Sequence, residues 1–146
     1  MPLIVTLLAT LATGLFTGAA VYVTFVEHPA RVTCGSALAV TEFGPSYKRG
    51  AVMQAALALV GAGAGIARWG AGGGLGWLVS GVVLSAIVPF TLVVILPTNS
   101  RLLDASLDKA SPEAEALLAR WGRLHAVRSA LSFVAFASFL VLLAQG

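Results

Sequence analysis

Hydrophobic positions fill four stretches of the chain, and the polar positions between them mark where each stretch stops. Residues 2–26, PLIVTLLATLATGLFTGAAVYVTFV, carry no charge. Roughly 20 apolar residues suffice to cross the hydrocarbon core of a bilayer, so this is a full span, closed by Glu27, His28 and Pro29. It lacks the positive start of a secretory leader, and its apolar run is too long for one. A second run covers 51–69, with Arg68 near its end and a glycine-rich turn beyond, and a third covers 75–97. The fourth, 130–144, has only fifteen residues. A crossing needs more, so this span must begin near His125, which sets Arg128 inside the membrane edge.

The stretch Ser111-Pro112-Glu113-Ala114-Glu115 has the marks of a helix start: Ser as N-cap, Pro at the first helical position and acids in the first turn. Nothing requires that helix to stop before the fourth run, so the pattern predicts one rod over 112–143. The expected fold is all-α: an integral membrane four-helix bundle, with its last helix extended on the cytoplasmic side. It forms a single transmembrane domain over 1–146, with spans near 2–26, 51–69, 75–97 and 125–144.

Composition agrees. Of 146 residues 58% are hydrophobic and 10% charged, with a mean hydropathy of +0.94, whereas soluble domains carry about 25% charged residues. One cysteine, Cys34, excludes an intrachain disulfide and a thiolate metal cluster. The net charge of +3 forms no basic patch interleaved with aromatics, so no nucleic-acid partner is expected. The charges report topology instead. Arg31, Lys48 and Arg49 fall in segment 30–50; Arg101, Lys109, Arg120, Arg123 and Arg128 fall in segment 98–128; Arg68 alone lies between spans two and three. The positive-inside rule makes the two long segments cytoplasmic and places both termini outside, in a plasma (inner) membrane.

Each helical residue turns the face by about 100°, so Trp121, His125, Arg128, Ser132 and Phe139 share one stripe of the last rod, while Arg120 and Arg123 point to a solvated surface. An ionisable residue at the depth of Arg128 usually faces the bundle interior or a wet cavity; the alternative is snorkelling to the interface. On span one, Thr13, Thr17, Thr24 and His28 fall on a narrow stripe. The threonines could simply bond their own backbone. Gly14-xxx-Gly18 and Gly61-xxx-Gly65 permit close helix approach, within the chain or in a homo-oligomer. Pro89 removes a hydrogen bond at mid-membrane and frees a carbonyl for Thr91 or water, and Pro97 ends or bends the helix. Asn99 either caps the next segment or serves a site. Topology puts His28, Gln54, Asn99, His125 and Arg128 at one depth, which suggests a polar pocket opening toward the cytoplasm.

The residues PFTLVVILPTNSRLL (89–103) and LLARWGRLHAVRSAL (117–131) resemble two signatures of a small membrane family, domain of unknown function 1772, which includes the fungal anthrone oxygenases. The matching positions are Pro89, Thr91, Pro97, Asn99 and Leu102, then Trp121, His125 and Arg128, with Tyr47 as a looser match in the first half. The resemblance implies a four-helix membrane protein and, from its anthrone oxygenases, oxidation of a polycyclic phenol with dioxygen. Those enzymes tend to carry Asn at the position of His125.

The first expectation is therefore an oxidoreductase or oxygenase for a hydrophobic, ring-bearing small molecule. His125 or His28 would take a proton, and Arg128 and Asn99 would hold the resulting anion. Trp121, Thr91, Gln54 and Tyr47 would contact the substrate. Such a step requires no cofactor. A variant makes His28 and His125 ligands to a haem or metal ion, although two ligands alone make a weak metal site. The non-enzymatic alternative is a scaffold or accessory subunit that binds lipid or a partner protein.

Overall fold

The computed structural model describes residues 2–145, and among them the chain forms helices and no strand. Four long helices follow in order: α1 (Pro2–Thr33), α2 (Ser36–Gly70), α3 (Leu75–Leu102) and α4 (Pro112–Ala144). Each is long and apolar enough to cross a membrane. Helices α1 and α3 lie diagonally opposite, each packed against both α2 and α4, which is an up-and-down four-helix bundle. Its outer surface keeps Leu11, Leu59, Val93 and Phe133 exposed, an apolar coat that only lipid covers favourably. The protein is an integral membrane bundle.

Helix α4 is the uninterrupted rod that its N-terminal signals predict. The Ser111 hydroxyl accepts from the Ala114 N–H at 3.2 Å. Arg101, at the end of α3, donates to both oxygens of Glu113 at 2.7 and 3.0 Å and to Asp104 at 2.9 Å, so the turn into α4 is clamped. In that turn the Ser106 backbone N–H, helped by its hydroxyl, holds the Asp104 carboxyl below its usual range.

Three expectations about helix ends are corrected. Glu27, His28 and Pro29 do not close α1, which continues to Thr33. The turn Val23–Glu27 is a π-helix in which the His28 N–H bonds Val23 O, five residues back. Pro29 then falls in the first turn of the resumed α-helix, where its missing N–H costs little. Pro97 likewise does not end α3: a π turn at Thr91–Ile95 precedes it, and the helix resumes to Leu102. The second helix does not start near residue 51 either: α2 begins at Ser36 and carries Pro45 inside it. The reason is tertiary: Ala39, Val40 and Phe43 bury against Ala114, Leu118 and Trp121 of α4.

Two cores result. One, around Phe16, Trp77, Leu84 and Phe139, fills the half of the bundle near the termini; the other joins the extended parts of α2 and α4. Of the four motif glycines, Gly61 faces Thr13 and Leu84, Gly65 faces Phe139, and Gly14 faces Phe136. Those three serve packing within the chain. Gly18 alone has open space beside it.

Candidate functional site

Where the two cores meet, the helices line a half-open cavity of about 540 Å³. Phe16, Ala58, Ile87 and Ile95 give it aliphatic and aromatic walls, and its outer rim includes the exposed Tyr22, Met53 and Leu92. Its polar lining comes from all four helices: Glu27 and Arg31 of α1, Ser46 and Arg49 of α2, and with them Tyr47 and Gln54 of α2, Thr91 and Asn99 of α3, and Trp121, His125 and Arg128 of α4. The last seven are among the eight residues expected from sequence.

The eighth, His28, is not among the lining residues. It is buried behind Trp121, ring centroids 5.0 Å apart, and rests on the backbone of α4 at Gly122. A Cβ on Gly122 would come within 2.6 Å of His28 Nε2, so this glycine is what admits the imidazole. A haem or metal ion in the cavity would therefore meet one imidazole, His125, rather than the expected pair. Among the described residues no cluster of three His, Cys, Asp or Glu could hold a metal ion.

His125 is 3% exposed and stacks on Trp121 with centroids 4.7 Å apart. Its Nδ1 lies 3.0 Å from the Thr24 hydroxyl, which in turn lies 2.7 Å from the Ser129 hydroxyl. Farther along the same seam, Thr17 donates to Ser132 O of α4 at 3.0 Å. Asn99 does not cap a helix. Its side chain is 1% exposed and its Oδ1 has no partner within the protein. The Thr91 hydroxyl donates to Ile87 O at 2.7 Å, four residues back on its own helix. Arg128 enters no ion pair among the described residues. Its guanidinium sits 5.1 Å from the Phe16 ring, and its buried Nε has no partner.

Sequence reasoning misses four participants. Ser129 is one step off the predicted stripe, and periodicity gives Thr24 a face but no role. Arg31, a cytoplasmic-side charge by sequence, is 7% exposed, hydrogen-bonded to Glu27 and Ser46 and ion-paired with Glu42 at 2.8 Å. Glu27 and Arg31 border the cavity beside Trp121. The one available signal is the Glu27/Arg31 spacing of four, which pairs side chains on a helix.

Bundle and cavity define a class: a small integral membrane protein with a half-open, mostly apolar chamber edged by an imidazole, two amides and charged side chains that include Glu27, Arg31 and Arg128. The chain belongs to the anthrone oxygenase family, whose family model matches residues 43–138. Over 61 residues it is 41% identical to the anthrone oxygenase tpcL of Aspergillus fumigatus, a match covering 40% of this chain and 38% of that relative. No solved structure matches the chain.

Proposed function

We propose that the protein is an oxygenase that oxidises a hydrophobic phenolic or ring-ketone substrate inside this cavity. The observation that carries the reading is the convergence of His125, Arg128, Asn99 and Gln54 on one apolar-walled space of suitable size. His125 takes a proton from the activated ring carbon. Arg128 and the Asn99 amide hold the oxygen on which the negative charge collects. The carbanion adds dioxygen at carbon. Loss of water from the resulting hydroperoxide, with the proton returned by His125, leaves a carbonyl: CH2 and O2 become C=O and H2O. These steps call on no cofactor. Trp121, Thr91, Gln54 and Tyr47 orient the ring system. In the same reading, the extensions of α2 and α4 lie in the cytoplasm and both termini outside.

The fungal relative, an anthrone oxygenase, supplies the probe. Purified protein in lipid nanodiscs is given anthrone, and oxygen uptake and anthraquinone formation are followed above the protein-free autoxidation rate. One oxygen per quinone is expected, with a loss of about 10²–10⁴-fold in His125→Gln. A rate no faster than the protein-free reaction overturns the oxygenase reading and favours a membrane scaffold or accessory subunit.

A further inference from the structure

The hydrogen bonds behind His125 form a chain with one favoured direction. Ser129 Oγ lies 3.0 Å from Ala20 O, 3.1 Å from His125 O and 2.7 Å from Thr24 Oγ1. Carbonyl oxygens only accept, and a serine hydroxyl has one hydrogen to give. If that hydrogen goes to a carbonyl, the contact with Thr24 is a bond only when Thr24 donates to Ser129. The Thr24 hydrogen is then committed, so its 3.0 Å contact with His125 Nδ1 is a bond only when Nδ1 carries the proton. The reverse order, Ser129 to Thr24 to Nδ1, makes one bond fewer and leaves both carbonyls without the serine. One more buried hydrogen bond favours the first order by roughly three- to tenfold.

We infer that Thr24 and Ser129 are positioning residues that fix His125 as the Nδ1–H tautomer. Its other nitrogen, Nε2, is thereby left as a lone-pair acceptor for the cavity that His125 lines. The relay runs from the imidazole of α4 to a hydroxyl of α1, back to a hydroxyl of α4, and ends on a backbone carbonyl that cannot turn round. It does for a neutral imidazole what a carboxylate does in a catalytic triad, orienting the ring and choosing which nitrogen is free, without placing a charge in the membrane. A ligand at Nε2 must then bring a hydrogen to donate, from a hydroxyl or an activated C–H, and a bare carbonyl finds no donor there. Naming Nε2 as the base rests on the oxygenase reading; the tautomer does not.

The protein has two histidines, so nitrogen NMR of ¹⁵N-histidine-labelled protein at pH 8 resolves the question. The His125 signals are those lost in His125→Gln and kept in His28→Gln. Expected for the wild type are a protonated Nδ1 and an unprotonated Nε2. Thr24→Ser should keep that pattern, whereas Thr24→Val, which has no hydroxyl, should move the proton toward Nε2. A wild type protonated at Nε2, or a Thr24→Val spectrum unchanged in tautomer, overturns the inference. A protein that shows the Nδ1–H tautomer but no oxygen uptake keeps the relay and loses the oxygenase reading.

Discussion

Replacing Arg128 by Met should make the protein more stable and less active. The guanidinium borders a mostly apolar cavity, enters no ion pair among the described residues, and has a buried Nε with no partner. An unbonded buried donor costs about 1–3 kcal/mol. A charged arginine at the centre of a membrane helix costs about 2.5–3.5 kcal/mol, and less toward the edge. Against these stands the contact with the Phe16 ring at 5.1 Å, worth about 0.5–2 kcal/mol, part of which the flexible Met side chain retains by packing on the same ring. The balance favours Arg128→Met by roughly 1–2 kcal/mol. For a chain of this size that raises the midpoint by about 2–8 °C, read by thermal unfolding in detergent micelles. Oxidation of anthrone should fall by about 10²–10³-fold, as for the loss of one oxyanion donor. A midpoint lowered by several degrees would refute the reasoning, since Arg128 would then be holding the bundle together rather than waiting for a ligand.

The glycines give a matched pair. Gly65→Ala puts a methyl 2.6 Å from the ring of Phe139, itself stacked on Trp77, with Trp77 O at 3.2 Å on the other side; it should cost about 1–3 kcal/mol. Gly18→Ala meets nothing within 4 Å and should be neutral or stabilising by up to about 1 kcal/mol, so equal midpoints for the two variants would contradict the packing described. Cys34, the one cysteine, is exposed in the turn between α1 and α2. A membrane-impermeant maleimide should label it in inverted vesicles and not in intact cells, and the opposite pattern would reverse the orientation.

The parts of the fold legible in sequence are those with a one-dimensional signature. Uninterrupted apolar runs mark four spans, the Ser111 cap marks the start of α4, and the shortfall of the last run draws His125 and Arg128 inward. The rest is decided in three dimensions. Residues 36–50 contain Gly44, Pro45 and three charges, a loop by composition, yet Ala39, Val40 and Phe43 find a partner face on α4 and the segment is helical. Pro29 and Pro97 look like stops because a regular α-helix would be broken there; a π turn before each lets the helix resume. His28 does turn inward, but a single residue's rotation separates it from Glu27, and it is Glu27 that borders the cavity. Periodicity says which face turns inward. It does not say on which side of Trp121 an inward residue lands.

The two inward arginines sharpen the case for a ligand. Both border the cavity and both lie against aromatic rings, Arg31 beside Phe43 and Trp121 and Arg128 beside Phe16. Arg31 is met by two carboxylates, Glu27 and Glu42, and by the Ser46 hydroxyl. The fold can therefore supply counter-charge at this level of the bundle, and it supplies two for one arginine and none for the other. Burying a charge without its partner is costly, so a bundle built only to span the membrane would gain from pairing Arg128 or from losing it. An unpaired guanidinium and an unbonded Asn99 carbonyl that line one cavity with His125 make physical sense when a bound molecule completes all three. It would bring an electron-rich oxygen to Arg128, a donor to Asn99 Oδ1 and an acidic hydrogen to His125, on a ring system that fits the apolar walls.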